Sequence, residues 1–232
     1  MSLKRTLTGK KKVLILKTLM GTIKLSRIMR NISFKRLFDI LFSFSVLMFG
    51  FPLFLLIALL LLIPTRGRIL FFHKRSGKNK KPFFCYKFRT MVPNADDHLA
   101  HLLKTNSKIK EEWECTFKLS KDPRITFIGH FLRKTSLDEL PQFFNVLKGE
   151  MSIVGPRPVT PEEIDRYYGE KAEKILSVPP GITGPWQTST IGHASYEQRV
   201  QIDEEYVNQK SFVKDLSIIF KTVPRMFCGR GV

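Results

Sequence analysis

Apolar residues are spread along this chain in three distinct ways. From Leu37 to Ile63 they run almost unbroken, LFDILFSFSVLMFGFPLFLLIALLLLI, with Asp39 the one charge in 27 residues. A helix of that length extends roughly 40 Å at ~1.5 Å per residue, against a hydrocarbon core about 30 Å thick. The run is too long for a signal-peptide core, and no small-residue cleavage site follows it. Gly50-Phe51-Pro52 falls at its middle, where proline removes a helix hydrogen bond and predicts a kink. Ahead of it, residues 10–32 mix apolar and basic positions at near-helical spacing. That pattern fits a basic amphipathic helix on anionic lipid, and also a disordered basic arm.

The remainder has short apolar runs. Arg68–Phe72 and Pro82–Phe88 are rich in aromatics and flank Ser76-Gly77-Lys78-Asn79, which predicts a β-hairpin. Residues 94–114 predict a helix of mixed charge, and Ile125–Leu132 a short, partly apolar element. A helix starting near Asp138 carries Leu140, Phe143, Phe144 and Leu147 on one face, with Pro141 in its first turn and Gly149 at its end. Gly155-Pro156-Arg157-Pro158 predicts a rigid loop. Pro161–Gly169 predicts a short helix, followed by a loop over Val178–Pro185. Two further helices are expected over 195–208 and 212–227. The fold class is α+β, mainly helical. It divides into a basic arm (1–33), a membrane anchor (34–65) and a domain over 66–232.

Charge decides what the apolar run is for. The net charge of +19 calls for acidic partners, and its placement selects among them. Residues 1–36 hold eleven Lys or Arg and no acid, and Pro64–Val92 hold nine more, again without an acid. Basic segments on both sides of the longest apolar run point to anionic lipid rather than to nucleic acid. The positive-inside rule favours both flanks on the cytoplasmic side, which a hairpin turning at Gly50–Pro52 satisfies; a proline-kinked single span is the alternative. Cys85, Cys115 and Cys228 are too scattered for a disulfide framework or a thiolate metal site.

Candidate chemistry lies in the acids and cations of the second half. Asp138-Glu139 follows Arg133-Lys134 at an expected helix start, where a carboxylate could hold Mg²⁺ or attack an electrophilic phosphorus. Ser136 and Glu139 also have the spacing of an ordinary capping box. Strand alternation puts Lys87 and Arg89 on one side, suited to gripping a diphosphate or to facing solvent. Arg157, pinned between prolines, suits phosphate recognition or a structural carboxylate pair. Trp186, in Pro179–Gln187, could stack on a base or sugar or fill the core. His98 and His101 read as surface residues. No P-loop, dinucleotide glycine fingerprint, Ser-His-Asp set or His-Glu-x-x-His pattern is present.

Taken together, these stretches resemble the bacterial sugar transferases, the small monotopic phosphoglycosyltransferases. The match runs from Lys35-Arg36-Leu37-Phe38-Asp39 through Lys87–Met91, Asp122–Thr126, Phe131–Gln142, Met151–Pro158, Pro180–Gly184 and Tyr196–Tyr206. The resemblance implies a re-entrant helix hairpin and a small catalytic domain resting on the cytoplasmic face of a bacterial inner membrane. It implies transfer of a sugar phosphate from a nucleotide-sugar donor to a polyprenyl phosphate acceptor, with Mg²⁺ as cofactor. By that analogy Asp138 is nucleophile and metal ligand, and Glu139 completes the dyad. Lys87, Arg133 and Arg157 hold phosphates or the dyad, with Arg89, Trp186 and Gln187 as further substrate contacts. Glu112–Leu119 and Pro161–Ile164 resemble the hexose-1-phosphate branch.

Two positions depart from the family pattern. Gly50-Phe51-Pro52 replaces the usual Ser-Pro at the membrane break, leaving Gly50 and Pro52 to make it. Ile191 stands where an arginine is expected, so one nucleotide contact is lost or supplied from elsewhere, for example by His193. The competing readings are a membrane-tethered basic scaffold without catalysis and an enzyme in which the acceptor attacks the donor directly. The C-terminal helix and an exposed apolar face also allow a homodimer.

Overall fold

A computed structural model describes residues 33–116, 119–189 and 195–227. The basic arm over 1–32 and the departure at Ile191, with His193, lie outside the described residues. The chain divides into two compact units, Met1–Phe38 and Asp39–Val232, and the contacts below belong to the second.

The long apolar run folds as two helices, α1 (Phe34–Phe49) and α2 (Phe51–Leu62), bent by 60°. Among the described residues no single helix is long and apolar enough to cross a membrane, whereas the bent pair passes that test together. The bend sits where the sequence interrupts itself. Pro52 falls in the first turn of α2, where its missing N–H costs nothing. Gly50 continues the helical hydrogen bonding, Gly50 N–H to Val46 O at 2.8 Å and Phe54 N–H to Gly50 O at 2.9 Å. A Cβ at Gly50 would stand 2.5 Å from the Val46 carbonyl oxygen, so a side chain there would force the arms apart.

Most of this pair is bare: Phe44, Phe49, Phe51, Leu55, Leu56, Leu59 and Leu60 are exposed, and Ile63 is 88 % exposed. The exceptions face the rest of the domain. Ile57 and Leu61 pack with Phe88 and Leu132. Asp39 is buried; its carboxylate accepts from Ser152 Oγ at 2.8 Å and from the Ile153 amide at 3.1 Å. The single charge in the apolar run is thus tied to the segment at Ser152 and Ile153.

Strands β1 (Leu70–Ser76) and β2 (Pro82–Phe88) form the expected antiparallel hairpin, with Lys87 opposite Phe71 and Arg75 opposite Phe83. The expected helix over 94–114 is two, α3 (Ala95–Thr105) and α4 (Ser107–Thr116). Asn106 breaks it by taking an extended backbone and accepting the Ile109 amide on its side chain at 3.2 Å. Next come α5 (Phe127–Lys134), a 3₁₀ turn at Leu137–Glu139, and α6 (Gln142–Lys148). Asn145 pins α6 to the free edge of β2: it accepts the Tyr86 amide at 3.0 Å and donates to the Phe84 carbonyl at 2.7 Å.

Strand β3 (Ser152–Val154) pairs in parallel with β4 (Gly181–Thr183). This pair was not legible in the sequence, where β4 lies inside a stretch read as loop. At Gly181 a Cβ would fall 2.1 Å from the Gly155 nitrogen, so only glycine lets the two backbones approach. Between them lie α7 (Pro161–Tyr167), capped by a reciprocal Thr160–Glu163 box, and α8 (Ala172–Ile175). Helices α9 (Pro185–Thr188), α10 (Tyr196–Gln209) and α11 (Phe212–Phe227) complete an α+β, mainly helical domain. Its main core joins Phe83 and Cys85 of β2 to Val146, Met151, Ile153, Val154, Tyr206 and Ile218.

Candidate active site

The acidic pair sits at a crossing of three segments: the end of β2, the tight turn after α5, and the loop after β3. The turn is set by Ser136, whose left-handed backbone (φ 56°) reverses the chain directly before Leu137. Ser136 makes no side-chain cap, so the capping-box account of Ser136 and Glu139 fails. A serine held in the left-handed region cannot take the extended N-cap conformation on which that box depends. Glu139 instead reaches β2, accepting from Lys87 Nζ at 2.6 Å.

The two acids differ in state. Burial pushes the Asp138 carboxyl up to about 6; Lys87 and Arg133 pull it down and neighbouring Glu139 pushes it up. Glu139 goes the other way. Burial opposes its ionisation, but Lys87 and Arg157, with hydrogen bonds from Lys87 and Gln142, hold it below the usual carboxylate range. Two adjacent carboxyls whose environments separate their titrations are a recurring sign of divided roles.

A cleft opens beside the pair, lined by Arg75, Cys85, Lys87, Glu139, Gln142 and Arg157, with Gly181, Ile182 and Gln187 beyond. Of the residues singled out in the sequence, Lys87, Glu139, Arg157 and Gln187 meet here. Asp138, 8 % exposed, adjoins them. Arg133 approaches Asp138 from α5, its Nε donating to Thr90 Oγ1 at 2.9 Å. Arg89 is elsewhere: Nε donates to the Arg68 carbonyl at 2.8 Å, and the guanidinium lies over Phe71 at 5.6 Å. Trp186 is flanked by two guanidiniums, Arg199 at 5.2 Å and Arg157 at 5.9 Å. Its ring thus engages cations of the site. His98 and His101 are exposed, as read.

Three groups escaped sequence reading. Arg75 and Cys85 enter the cleft through the hairpin register, which no local pattern reveals. Beneath Trp186 lies a buried nest of Arg199, Asp203 and Tyr168, at 5 %, 0 % and 2 % exposure. Asp203's carboxylate, the Tyr168 hydroxyl and two nitrogens of Arg199 make no hydrogen bond of good geometry. Their spacing on α10, i and i+4, reads in a sequence as an exposed ion pair.

No three His, Cys, Asp or Glu side chains converge among the described residues, so no protein-only metal cage is present among them. Mg²⁺ characteristically takes one or two carboxylates and completes its octahedron with substrate phosphates and water. Asp138 beside a cationic cleft fits that requirement.

The family model described as "Bacterial sugar transferase" matches residues 30–229. Exopolysaccharide production protein ExoY of Sinorhizobium fredii is 47 % identical over 197 residues, covering 85 % of this chain and 87 % of that protein. Undecaprenyl-phosphate galactose phosphotransferase of Salmonella typhimurium is 45 % identical over 190 residues, 81 % of this chain but 39 % of its own length. The UDP-glucose:undecaprenyl-phosphate glucose-1-phosphate transferase of Klebsiella pneumoniae is 38 % identical over 209 residues, 87 % and 42 % respectively. The chain therefore spans about two fifths of the latter two.

Proposed function

The chain belongs to the bacterial sugar transferase family, and from that premise we propose that it transfers a hexose-1-phosphate from a UDP-sugar to undecaprenyl phosphate. The product starts a bacterial glycan of the exopolysaccharide type. The observation that carries this reading is the buried Asp138 beside Glu139, with Glu139 fixed by Lys87 in a cleft of cations.

The chemistry follows from the two carboxyl states. With a pKa of about 6, Asp138 is mostly ionised at neutral pH yet poorly solvated, which favours attack on phosphorus. Its oxygen bonds to the sugar-linked phosphorus, the bond to the bridging diphosphate oxygen breaks, and a nucleoside monophosphate departs. Undecaprenyl phosphate then attacks the phosphosugar on Asp138 and regenerates the carboxylate. Lys87, Arg133 and Arg157 offset charge on the phosphate oxygens, while Glu139, held ionised, keeps Lys87 in place. Mg²⁺, bound by Asp138 and the donor's phosphates, would supply further charge neutralisation.

The anchor supports the same reading. Two apolar arms bent at Gly50–Pro52, with basic residues on both flanks, suit a re-entrant hairpin that enters and leaves one leaflet from the cytoplasmic face. Exposed Phe127, Phe131 and Phe220 would extend the contact with lipid. The adjacent acids, Asp138 buried and Glu139 partly so, argue against a scaffold whose charge serves polyanions alone.

The test is labelling. Protein in detergent with Mg²⁺ and UDP-hexose labelled in the sugar-linked phosphate is expected to take up about one label per chain. Undecaprenyl phosphate should discharge it, and Asp138→Asn should take up none. Turnover without label on the protein would replace the covalent route with direct transfer. No turnover with any donor would remove the activity.

A further inference from the structure

Arg75 is the cation in the cleft that the reading above leaves without a task. On a β-ribbon, residues 71, 73 and 75 share a face, and so do their cross-strand partners 87, 85 and 83. Lys87 and Arg75 therefore project from the same face. Lys87 stands opposite Phe71, so the Cα atoms of Lys87 and Arg75 are roughly 13 Å apart along the ribbon at ~3.3 Å per residue, and both long side chains line the same cleft. Lys87 meets Glu139 beside Asp138, and Arg75 has Arg157 among its nearest charges. The two phosphorus atoms of a diphosphate share one oxygen, so the leaving phosphate lies directly beside the one at Asp138, within the cleft that Arg75 lines.

Arg75 is also held in place. One terminal nitrogen donates to Glu163 Oε2 at 3.0 Å, and the other lies 3.2 Å from His73 Nδ1. His73 is kept neutral by burial, then by Arg75 and Lys87, so its ring can accept. Glu163 is fixed in turn: Oε2 accepts the Thr160 amide at 2.7 Å, and Oε1 accepts the Tyr196 hydroxyl at 3.1 Å. These contacts use two of the five N–H donors of the guanidinium and leave the others for an occupant of the cleft.

Resting on the sugar-phosphate transfer proposed above, we infer that Arg75, positioned by Glu163, receives the phosphate of the departing nucleoside monophosphate. When the Asp138–phosphorus bond forms, the electron pair of the broken bond stays on the former bridging oxygen. That oxygen becomes a terminal phosphate oxygen of the leaving group, and no proton need move. A guanidinium bound there stabilises the charge as it develops. Glu163 keeps the arginine in register without covering it.

The two half-reactions separate this role from a structural one, because only the first involves nucleotide. In Arg75→Gln, loading from UDP-hexose and reversal of the loaded enzyme by uridine monophosphate should each slow by about ten- to a hundredfold. Discharge of the loaded enzyme to undecaprenyl phosphate should stay within about twofold of wild type. Glu163→Gln should raise the uridine monophosphate concentration needed for half-maximal reversal, and Arg75→Lys should fall between wild type and Arg75→Gln. Equal slowing of both half-reactions, or unchanged reversal, overturns the inference. A second measurement needs no variant and no label: an arginine-specific dicarbonyl should modify Arg75 in the wild-type protein, and uridine monophosphate should protect it. Modification at the same rate with and without the nucleotide also overturns it. Failure of the wild type to load or turn over would instead count against the transferase reading itself.

Discussion

Arg157 adjoins two clusters of charge, one partly exposed and one buried, that are stabilised differently. In the cleft two cations are paired by direct contact: Lys87 meets Glu139 at 2.6 Å and Arg75 meets Glu163 at 3.0 Å. In the nest below Trp186, Arg199 and Asp203 are more deeply buried, yet their remaining polar atoms make no good hydrogen bonds. The cleft is open, and its ion pairs hold Lys87 and Arg75 in fixed directions. The nest faces the protein, and burial dominates it, pushing the Asp203 carboxyl up to about 7 against the pull of Arg199 and Arg157. Close pairing therefore marks the open side of Arg157, while on the enclosed side desolvation dominates and Arg199 reaches Glu163 only at 3.9 Å.

The comparison breaks most sharply at Lys87. In Lys87→Met, Glu139 loses its main counter-charge and the phosphates lose a cation, so turnover at saturating donor should fall by about a thousandfold. If turnover holds within about tenfold, the ion pair is a structural contact and the cleft is no better organised than the nest.

A smaller effect is expected at Asp203. An acid whose folded pKa is raised binds more protons when folded than when unfolded, between its unfolded value near 4 and about 7. It therefore makes stability fall as pH rises through that window. Glu139, Glu163 and Asp122 are shifted downward, so their contribution is lost only as pH falls below the ordinary carboxylate range. Asp203→Asn should flatten the decline between pH 5 and pH 8, by at most a few kcal/mol. Thermal melts at the two pH values read this directly, and an unchanged slope would show that the nest is well solvated.

The smallest effect is at Trp186, which touches both clusters. Trp186→Phe keeps an aromatic face but weakens two cation–π contacts, each worth about 0.5–1 kcal/mol at partly exposed sites. The donor KM should rise about three- to tenfold with little change in kcat. A fall in kcat alone would mean that the indole shapes the dyad rather than Arg157.

What the sequence disclosed follows the same division. Asp138, Glu139, Lys87 and Arg157 stand in short stretches that keep the family's order, so their meeting could be expected before any fold was known. Arg75 could not be found this way, because it enters the cleft only through a cross-strand register of seven residue pairs. The nest was hidden for a different reason. Arg199 and Asp203 have the spacing of an exposed helix pair, and their burial depends on Tyr168 and Trp186 arriving from distant segments. Ser136 misled because its spacing to Glu139 suited a cap while its backbone is left-handed. Strand β4 was missed because three residues beginning with glycine carry almost no strand signal, and its pairing depends on close approach to Gly155.

The bond between Asp39 and Ser152 has a consequence for synthesis. The two residues are 113 positions apart, so at about 5–20 residues per second the carboxylate leaves the ribosome roughly 6–23 s before its partner. During that interval the apolar arms exist without the bonds that will tie Asp39 to Ser152 and Ile153. Docking of that segment onto Asp39 is then a late event, one that ties the helix pair to a stretch of chain made long after it.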